Sequence, residues 1–350
     1  MRILAWPTQS QRNPYPKLLY SNLGPTVQVE EFSARKILER YSVWHVHWPD
    51  ELLIGDPLYV LSRIARFLAA VDCLRMRGTK IVWTIHNCSS HEKLHPSLEA
   101  WFWRRFIPRV DGVISLSSSG LSHALESFPA LRKIPKTIIP HGHYRDEYPF
   151  RNRDGRQMLG IPSDARVLLF FGQVRPYKNV ETLVRVFREV TTGSALLDIV
   201  GHSNSSTLAE KILREASSDN RVRVRLEFLR PDELFAHASA ADVVVLPYRE
   251  ILNSGSAILA LSLNRPILVP DLGAMGELKA DFGETWVRTF SGDLSKNILE
   301  GALDWAAQTR PSTCPMPAEY EWESIGRETV RFYEMVASMI PNYLKDSKSD

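Results

Sequence analysis

The chain has 350 residues, 44% apolar and 24% charged, with a formal charge of +3, the balance of a globular protein of about two domains and not of a disordered or fibrous one. No window reaches the roughly 18–20 uncharged apolar residues of a membrane-spanning helix; the nearest, Tyr59 to Leu74, is broken by Arg63, Arg66 and Asp72, and the opening Met1-Arg2-Ile3-Leu4-Ala5-Trp6-Pro7 lacks the apolar core of a secretory signal. Three cysteines (Cys73, Cys88, Cys314) without C-x-x-C spacing suit a reducing compartment, so a cytoplasmic protein is expected.

Charge is uneven along the chain. Residues 1–150 hold 19 Lys and Arg against 13 Asp and Glu, together with eight of the ten histidines. That excess suits anionic ligands or an anionic membrane surface and is too small to argue for nucleic acid.

Strands are predicted in the first half at Arg2–Trp6, Val43–Trp48, Lys80–His86, Gly112–Leu116 and Thr137–Pro140, with helices over Pro57–Arg77 and Pro96–Arg109. The polar stretch Tyr144–Asp164, rich in Arg and Asp, reads as a linker and hinge. The pattern then restarts, with strands at Arg166–Phe171, Ala195–Val200, Val222–Phe228, Asp242–Pro247 and Pro266–Val269. Helices are predicted at Asn179–Val190, Thr207–Ser217, Asp232–Ser239 and Ser254–Leu263, and an amphipathic one closes the chain at Trp322–Met339. Two βαβ halves of similar length predict an α/β fold of two Rossmann-like domains facing across a cleft, with ligands at the carboxyl ends of the strands.

Two strand-to-helix loops of the second half are candidate phosphate cradles. In Phe171-Gly172-Gln173-Val174-Arg175-Pro176-Tyr177-Lys178-Asn179, the glycine permits a tight exit and brings Arg175 and Lys178 to a helix start. In Pro247-Tyr248-Arg249-Glu250-Ile251-Leu252-Asn253-Ser254-Gly255-Ser256, the last three residues offer backbone N–H groups and hydroxyls. Each loop has a plainer reading, as solvated basic residues on a turn or as an Asn/Ser helix cap. Two loops from successive units of one sheet converge, which is what a diphosphate needs.

In the first half, His45-Val46-His47-Trp48-Pro49-Asp50 and Trp83-Thr84-Ile85-His86-Asn87-Cys88-Ser89-Ser90-His91-Glu92 end two strands and supply Asp50, His86 and Glu92 as candidate bases, unranked. His45 and His47 are expected on opposite faces of their strand, one of them in the core, which leaves a metal site there without support. No Asp-x-Asp occurs, so a dedicated divalent-metal diphosphate site, or any other cofactor, is not expected. Leu98 to Arg109 mixes aromatic with basic residues and suits either an anionic membrane interface or a buried helix with a basic outer face. The loop Gln11-Arg12-Asn13-Pro14-Tyr15-Pro16-Lys17 leaves the first strand where a ligand could pass.

At these residues the chain resembles the GT-B glycosyltransferases, which move sugars from nucleotide diphosphates. "HVHWP" and "TIHN" resemble the acceptor-domain strand ends, "IIPHG" (Ile138–Gly142) the hinge, and "FFGQVRPYKNVETLVRVF" the basic strand–loop–helix. "RLEFLRPDELFAHASAADVVVLPYRE" is similar to the nucleotide-binding stretch and "YEWESIGRETVRFYEMV" to the terminal helix that crosses back to the first domain. The resemblance implies an acceptor-binding domain over 1–147, a nucleotide-sugar domain over 148–318 and a returning helix over 319–350. Retaining members carry two glutamates eight positions apart. Glu250 matches the first, one residue out of frame counted back from Pro266, and the second falls on Leu259.

That departure suits an inverting enzyme. "NPYPKLLY" and "YREILNSGSA" resemble the bacterial β-mannosyltransferases of exopolysaccharide pathways such as xanthan assembly, which use GDP-mannose and a polyprenyl-diphosphate-linked acceptor. The implied donor residues are Arg175, Lys178, Glu250, Asn253, Ser254, Gly255 and Ser256, with Asn13 and Tyr15 on the acceptor side. Peripheral contact with the inner face of the plasma membrane follows from such an acceptor. Two alternatives stay open: a non-catalytic scaffold of this architecture, and a sugar-nucleotide epimerase.

Overall fold

The computed structural model describes residues 1–9, 13–90, 93–148 and 154–339. Contacts divide the chain into unit 1, made of Met1–Gly142 and the segment from Ala318 onward, and unit 2, His143–Pro317.

Unit 1 is built on six parallel strands, β1 (Arg2–Trp6), β2 (Gln28–Glu31), β3 (Val43–Val46), β4 (Lys80–Ile85), β5 (Gly112–Ser115) and β6 (Lys136–Ile138), in the order β2-β1-β3-β4-β5-β6. Helices cover both faces of such a sheet, and β3, β4 and β5 are buried at every position, which is why they read as continuous apolar runs. The helices are α1 (Tyr15–Ser21), α2 (Pro57–Met76), α3 (Pro96–Phe106) and α4 (Ser118–Ser127). Asp56 starts α2 by accepting from the Tyr59 N–H, with Pro57 at the first helical position.

In α3 the aromatic residues Phe102, Trp103 and Phe106 are buried against Phe67, Trp83 and Phe128, while Arg104 and Arg105 are exposed. Of the two readings of that segment, the structure takes the buried helix.

Unit 2 repeats the scheme with β7 (Arg166–Phe171), β8 (Ala195–Val200), β9 (Val222–Arg225), β10 (Val243–Val245), β11 (Ile267–Pro270) and β12 (Val287–Phe290), ordered β12-β11-β10-β7-β8-β9 and all parallel. Its helices are α5 (Gly155–Leu159), α6 (Val180–Phe187), α7 (Ser206–Ala216), α8 (Pro231–Ala240), α9 (Gly255–Ser262), α10 (Ala274–Phe282) and α11 (Lys296–Ala306). The last helix, α12 (Trp322–Ser338), belongs to unit 1 and sends Trp322, Ile325, Phe332, Tyr333 and Val336 into the core formed with Ile3, Tyr15, Leu19 and Val82.

Two expectations need correction. Tyr144–Asp164 is not a plain linker. The Asp154 side chain caps α5, and Arg156 Nη2 donates to both carboxylate oxygens of Asp242 at 2.9 Å, so polar residues that read as solvated are pinned to the sheet. His45 and His47 do not face opposite ways either. Residues two apart on a strand share a face, and their rings lie 4.2 Å apart, both fully buried.

Candidate active site

In unit 2 strand order reverses between β7 and β10, the point where open parallel sheets leave a crevice at their carboxyl ends. The two loops singled out in the sequence leave β7 and β10 there. They are joined by the Arg249 N–H donating to the Tyr177 carbonyl at 2.8 Å.

Two glycines allow the close packing. Gly172 has φ +113°, and a Cβ on it would lie 2.8 Å from Ser256 Oγ and 3.5 Å from Lys178 Nζ. Gly201, after β8, has φ +142°, and its Cβ would lie 1.9 Å from the Gly172 carbonyl oxygen. Glycine is required at both positions by conformation and by space.

Lys178 Nζ and Ser256 Oγ therefore both approach Gly172 at the end of β7. Lys178 is buried, 8% exposed, with its Nζ 5.2 Å from the centre of the Tyr248 ring. It has no carboxylate partner among the described residues, and burial lowers the pKa of its ammonium, with Arg175 adding repulsion. Arg175 is half-buried, just ahead of the short turn Pro176–Lys178.

Ser254 does what the plainer reading expected, accepting the Ala257 N–H at 3.2 Å as the cap of α9. Gly255 and Ser256 open the helix. Asn253 is half-buried and Glu250 exposed on the same loop, while Leu259 packs inside α9. A cavity of about 280 Å³ lies beside this loop, bounded by Asn179, Tyr248, Asp271 and Phe290. A larger one, about 540 Å³, is bounded by Asp242, Arg265 and Trp286 at the opposite, amino ends of the strands, so size alone does not mark the site.

In unit 1 the corresponding reversal lies between β1 and β3. His47, Trp48 and Asp50 follow β3, and His86 and Asn87 follow β4. Asp50 is 6% exposed. Its Oδ2 accepts from Asn87 Nδ2 at 3.2 Å, while its Oδ1 is buried without a partner from any other described residue. Burial, with the charge of Glu51 adding to it, pushes its carboxyl up to about 7.

His86 is 9% exposed, its ring stacked on Trp48 at 4.2 Å. Burial holds its pKa well below the usual imidazole range, and the neighbouring histidines push the same way. His47 is lowered likewise, His45 to about 3 and His141 to about 4, so the group is a set of neutral rings.

Tyr15 is a core residue, its ring against His47, His86, His141 and Trp322. Asn13 Oδ1 accepts the Tyr15 N–H at 3.0 Å and so helps start α1. Glu92 lies outside the described residues. Sequence reasoning missed Tyr20, His141 and Tyr333 as parts of this cluster. Each lies inside a quoted motif ("NPYPKLLY", "IIPHG" and "YEWESIGRETVRFYEMV"), but nothing local in any of them points to the other two. Among the described residues no group of three His, Cys, Asp or Glu could hold a metal ion, and no helix is long and apolar enough to cross a membrane.

Residues 165–299, from the start of β7 into α11, match the family of glycosyl transferases group 1. Over 323 residues the chain is 31% identical to the GDP-mannose:glycolipid 4-beta-D-mannosyltransferase of Xanthomonas campestris pv. campestris, covering 92% of this chain and 88% of that protein. It is 25% identical over 279 residues to the lipopolysaccharide 1,2-N-acetylglucosaminetransferase of Salmonella typhimurium, covering 75% and 68%. Among solved structures, Anabaena HepE in complex with UDP-glucose aligns with a TM-score of 0.66 at 13% identity over 99% of both chains, a likeness of fold. With two six-stranded parallel α/β domains and a relative aligned across nearly all of both sequences, the chain belongs to the group 1 glycosyltransferases, nucleotide-sugar-dependent enzymes of GT-B fold.

Proposed function

We propose that this enzyme transfers mannose from GDP-mannose to a hydroxyl of a lipid-linked glycan, with inversion and without a metal ion. Donor and acceptor classes are those in the name of the Xanthomonas relative. The observation that carries the leaving-group half is the buried, carboxylate-free Lys178 ammonium packed with Ser256 over Gly172. A departing diphosphate is the counter-charge such a group lacks, and Lys178 with Arg175 would do the work a metal ion does elsewhere. Gly255 and Ser256 add N–H groups at the start of α9, the helix that Ser254 caps. We assign Glu250 and Asn253 to the donor side, with Glu250 near the sugar or ribose.

In the reaction the acceptor oxygen bonds to the anomeric carbon. The bond from that carbon to the diphosphate oxygen breaks, and GDP leaves with the electron pair. The acceptor's proton goes to a base, the role we assign to Asp50, because burial raises its carboxyl to about 7, where it can take a proton near neutrality.

Peripheral contact with the inner face of the membrane is part of the same proposal. It is supported by the exposed Ile54, Leu58, Tyr59 and Leu61 around the start of α2, next to Arg63 and Arg66. The test is melting of the purified protein with GDP, UDP, ADP and their sugars, with and without EDTA, followed by transfer to a lipid-linked glycan. An EDTA-insensitive shift with GDP or GDP-mannose and a β-linked product support the proposal. A shift with UDP compounds alone removes the mannose donor, and no shift with any nucleotide removes the donor site.

A further inference from the structure

We infer that a buried chain of hydrogen bonds in unit 1 fixes the proton of His86 on Nδ1, which makes His86 a donor that positions the acceptor hydroxyl and not the base that deprotonates it. Five contacts define the chain. Tyr333 Oη lies 2.6 Å from His45 Nδ1, and His45 Nε2 lies 2.7 Å from Thr84 Oγ1. Tyr20 Oη lies 2.6 Å from His47 Nε2 and 3.1 Å from His45 Nδ1. His47 Nδ1 lies 3.1 Å from His86 Nε2.

A neutral imidazole has one N–H and one ring lone pair, and a phenol has one hydrogen to give. His45 Nδ1 is taken by the shorter contact, from Tyr333. The Tyr20 hydrogen then goes to His47 Nε2. His47, accepting at Nε2, carries its own hydrogen on Nδ1 and donates it to His86 Nε2. His86, accepting at Nε2, is left with its hydrogen on Nδ1.

Reversing the order fails on the count. His86 would donate to His47 and His47 to Tyr20, and the hydrogens of Tyr20 and Tyr333 would compete for the single lone pair of His45, leaving one buried hydroxyl unpaired. Turning His45 over, so that it donates to Tyr333 and accepts from Thr84, still leaves Tyr20 only His47 to donate to. Both arrangements of His45 give the same His86.

The Nδ1–H so fixed has no hydrogen-bond partner among the described residues. The ring is held by Trp48 stacked on it and by the edge of Tyr15 at 5.2 Å. The next residue, Asn87, holds Asp50. In the proposed reaction, an acceptor hydroxyl would accept from His86 and give its proton to Asp50. Tyr20, His47, His45 and Tyr333 are positioning residues that act through His86. The catalytic role rests on the glycosyl-transfer proposal with Asp50 as base, whereas the tautomer does not.

The test reads both. Long-range ¹H–¹⁵N correlation on protein labelled with ¹⁵N-histidine should show His47 and His86 protonated on Nδ1. In Tyr20→Phe the His86 signal should become a mixture of tautomers, with the acceptor KM raised about tenfold, kcat changed less than about threefold and donor binding unchanged. His86→Asn, which keeps a side-chain N–H donor near the same place, should retain kcat within about tenfold, whereas Asp50→Asn should lose 10²-fold or more. His86 protonated on Nε2 in the native protein, or His86→Asn as inactive as Asp50→Asn, would overturn the inference. If the native protein transfers nothing from GDP-mannose yet shows the expected tautomers, the proposed function fails and the tautomer assignment stands.

Discussion

Replacing Lys178 with methionine separates a group kept for catalysis from one kept for the fold. Lys178 is 8% exposed, and its ammonium sits over the Tyr248 ring and has no carboxylate partner among the described residues, so removing it breaks no ion pair. Methionine has a similar length and packs against an aromatic ring. Opposite a diphosphate about 4 Å away, at an effective dielectric of about 20, a unit charge contributes about 4 kcal/mol. Removing one such group from a site that keeps Arg175 should cost about 3 kcal/mol in the transition state, on the order of 10²-fold in kcat.

Stability should move the other way. With its folded pKa below the ordinary 10.5, Lys178 binds fewer protons in the folded than in the unfolded protein between those two values, so native stability rises with pH across that window. Lys178→Met should melt no lower than the native protein near neutral pH and should lose that rise. The assays are kcat with saturating donor and melting curves at several pH values from 7 to 10.5. An unchanged kcat, or a loss of activity that merely tracks a lower Tm, would refute the reasoning.

Other substitutions test the surrounding geometry. Gly172→Ala places a methyl 2.8 Å from Ser256 Oγ at φ +113° and should weaken GDP binding at least tenfold in calorimetry, with the sheet intact by circular dichroism. Gly201→Ala meets the Gly172 carbonyl at 1.9 Å, a backbone atom that cannot step aside, and should lower Tm by several degrees or prevent folding. Asp50→Asn should remove the acidic limb near pH 7 from the rate profile. Because the folded pKa of Asp50 is raised, the native protein loses stability as pH climbs from about 4 to 7, and the variant should melt higher at pH 8. Gly326→Ala drives a methyl to 1.9 Å from the Asn22 carbonyl and should loosen α12 from α1, seen as faster hydrogen exchange along α12.

Sequence patterns located the central strands well because parallel strands buried on both faces are unbroken apolar runs. Arg2–Trp6, Arg166–Phe171 and Ala195–Val200 have the same limits in the structure as in the reading. The edge strands β2 and β12 were not legible. Gln28–Glu31 is polar and only half covered, and Arg288 and Thr289 break the apolar run of Val287–Phe290. The two loops after β7 and β10 could be read because each is continuous in sequence and punctuated by glycine. The histidine cluster could not, since its hydrogen bonds join Tyr20 to residues 25 and 27 positions away and Tyr333 to one 288 away. The linker was misread for the same reason: the partner of Arg156 is 86 residues on, and an arginine whose carboxylate is that distant looks solvated.

Unit 1 is assembled from both ends of the chain, and this has a bearing on how the protein is made. On a ribosome the residues up to Gly142 emerge first, yet the helix that supplies Trp322, Phe332 and Tyr333 to their core emerges only after all of unit 2. Until then His45 on β3 lacks the Tyr333 phenol that bonds its Nδ1, and the apolar face destined for α12 has no cover. Unit 2 is continuous and can close as soon as Pro317 is free. The later-encoded unit can therefore mature first, and a nascent chain stalled before α12 would hold a closed unit 2 beside a unit 1 whose core is still incomplete.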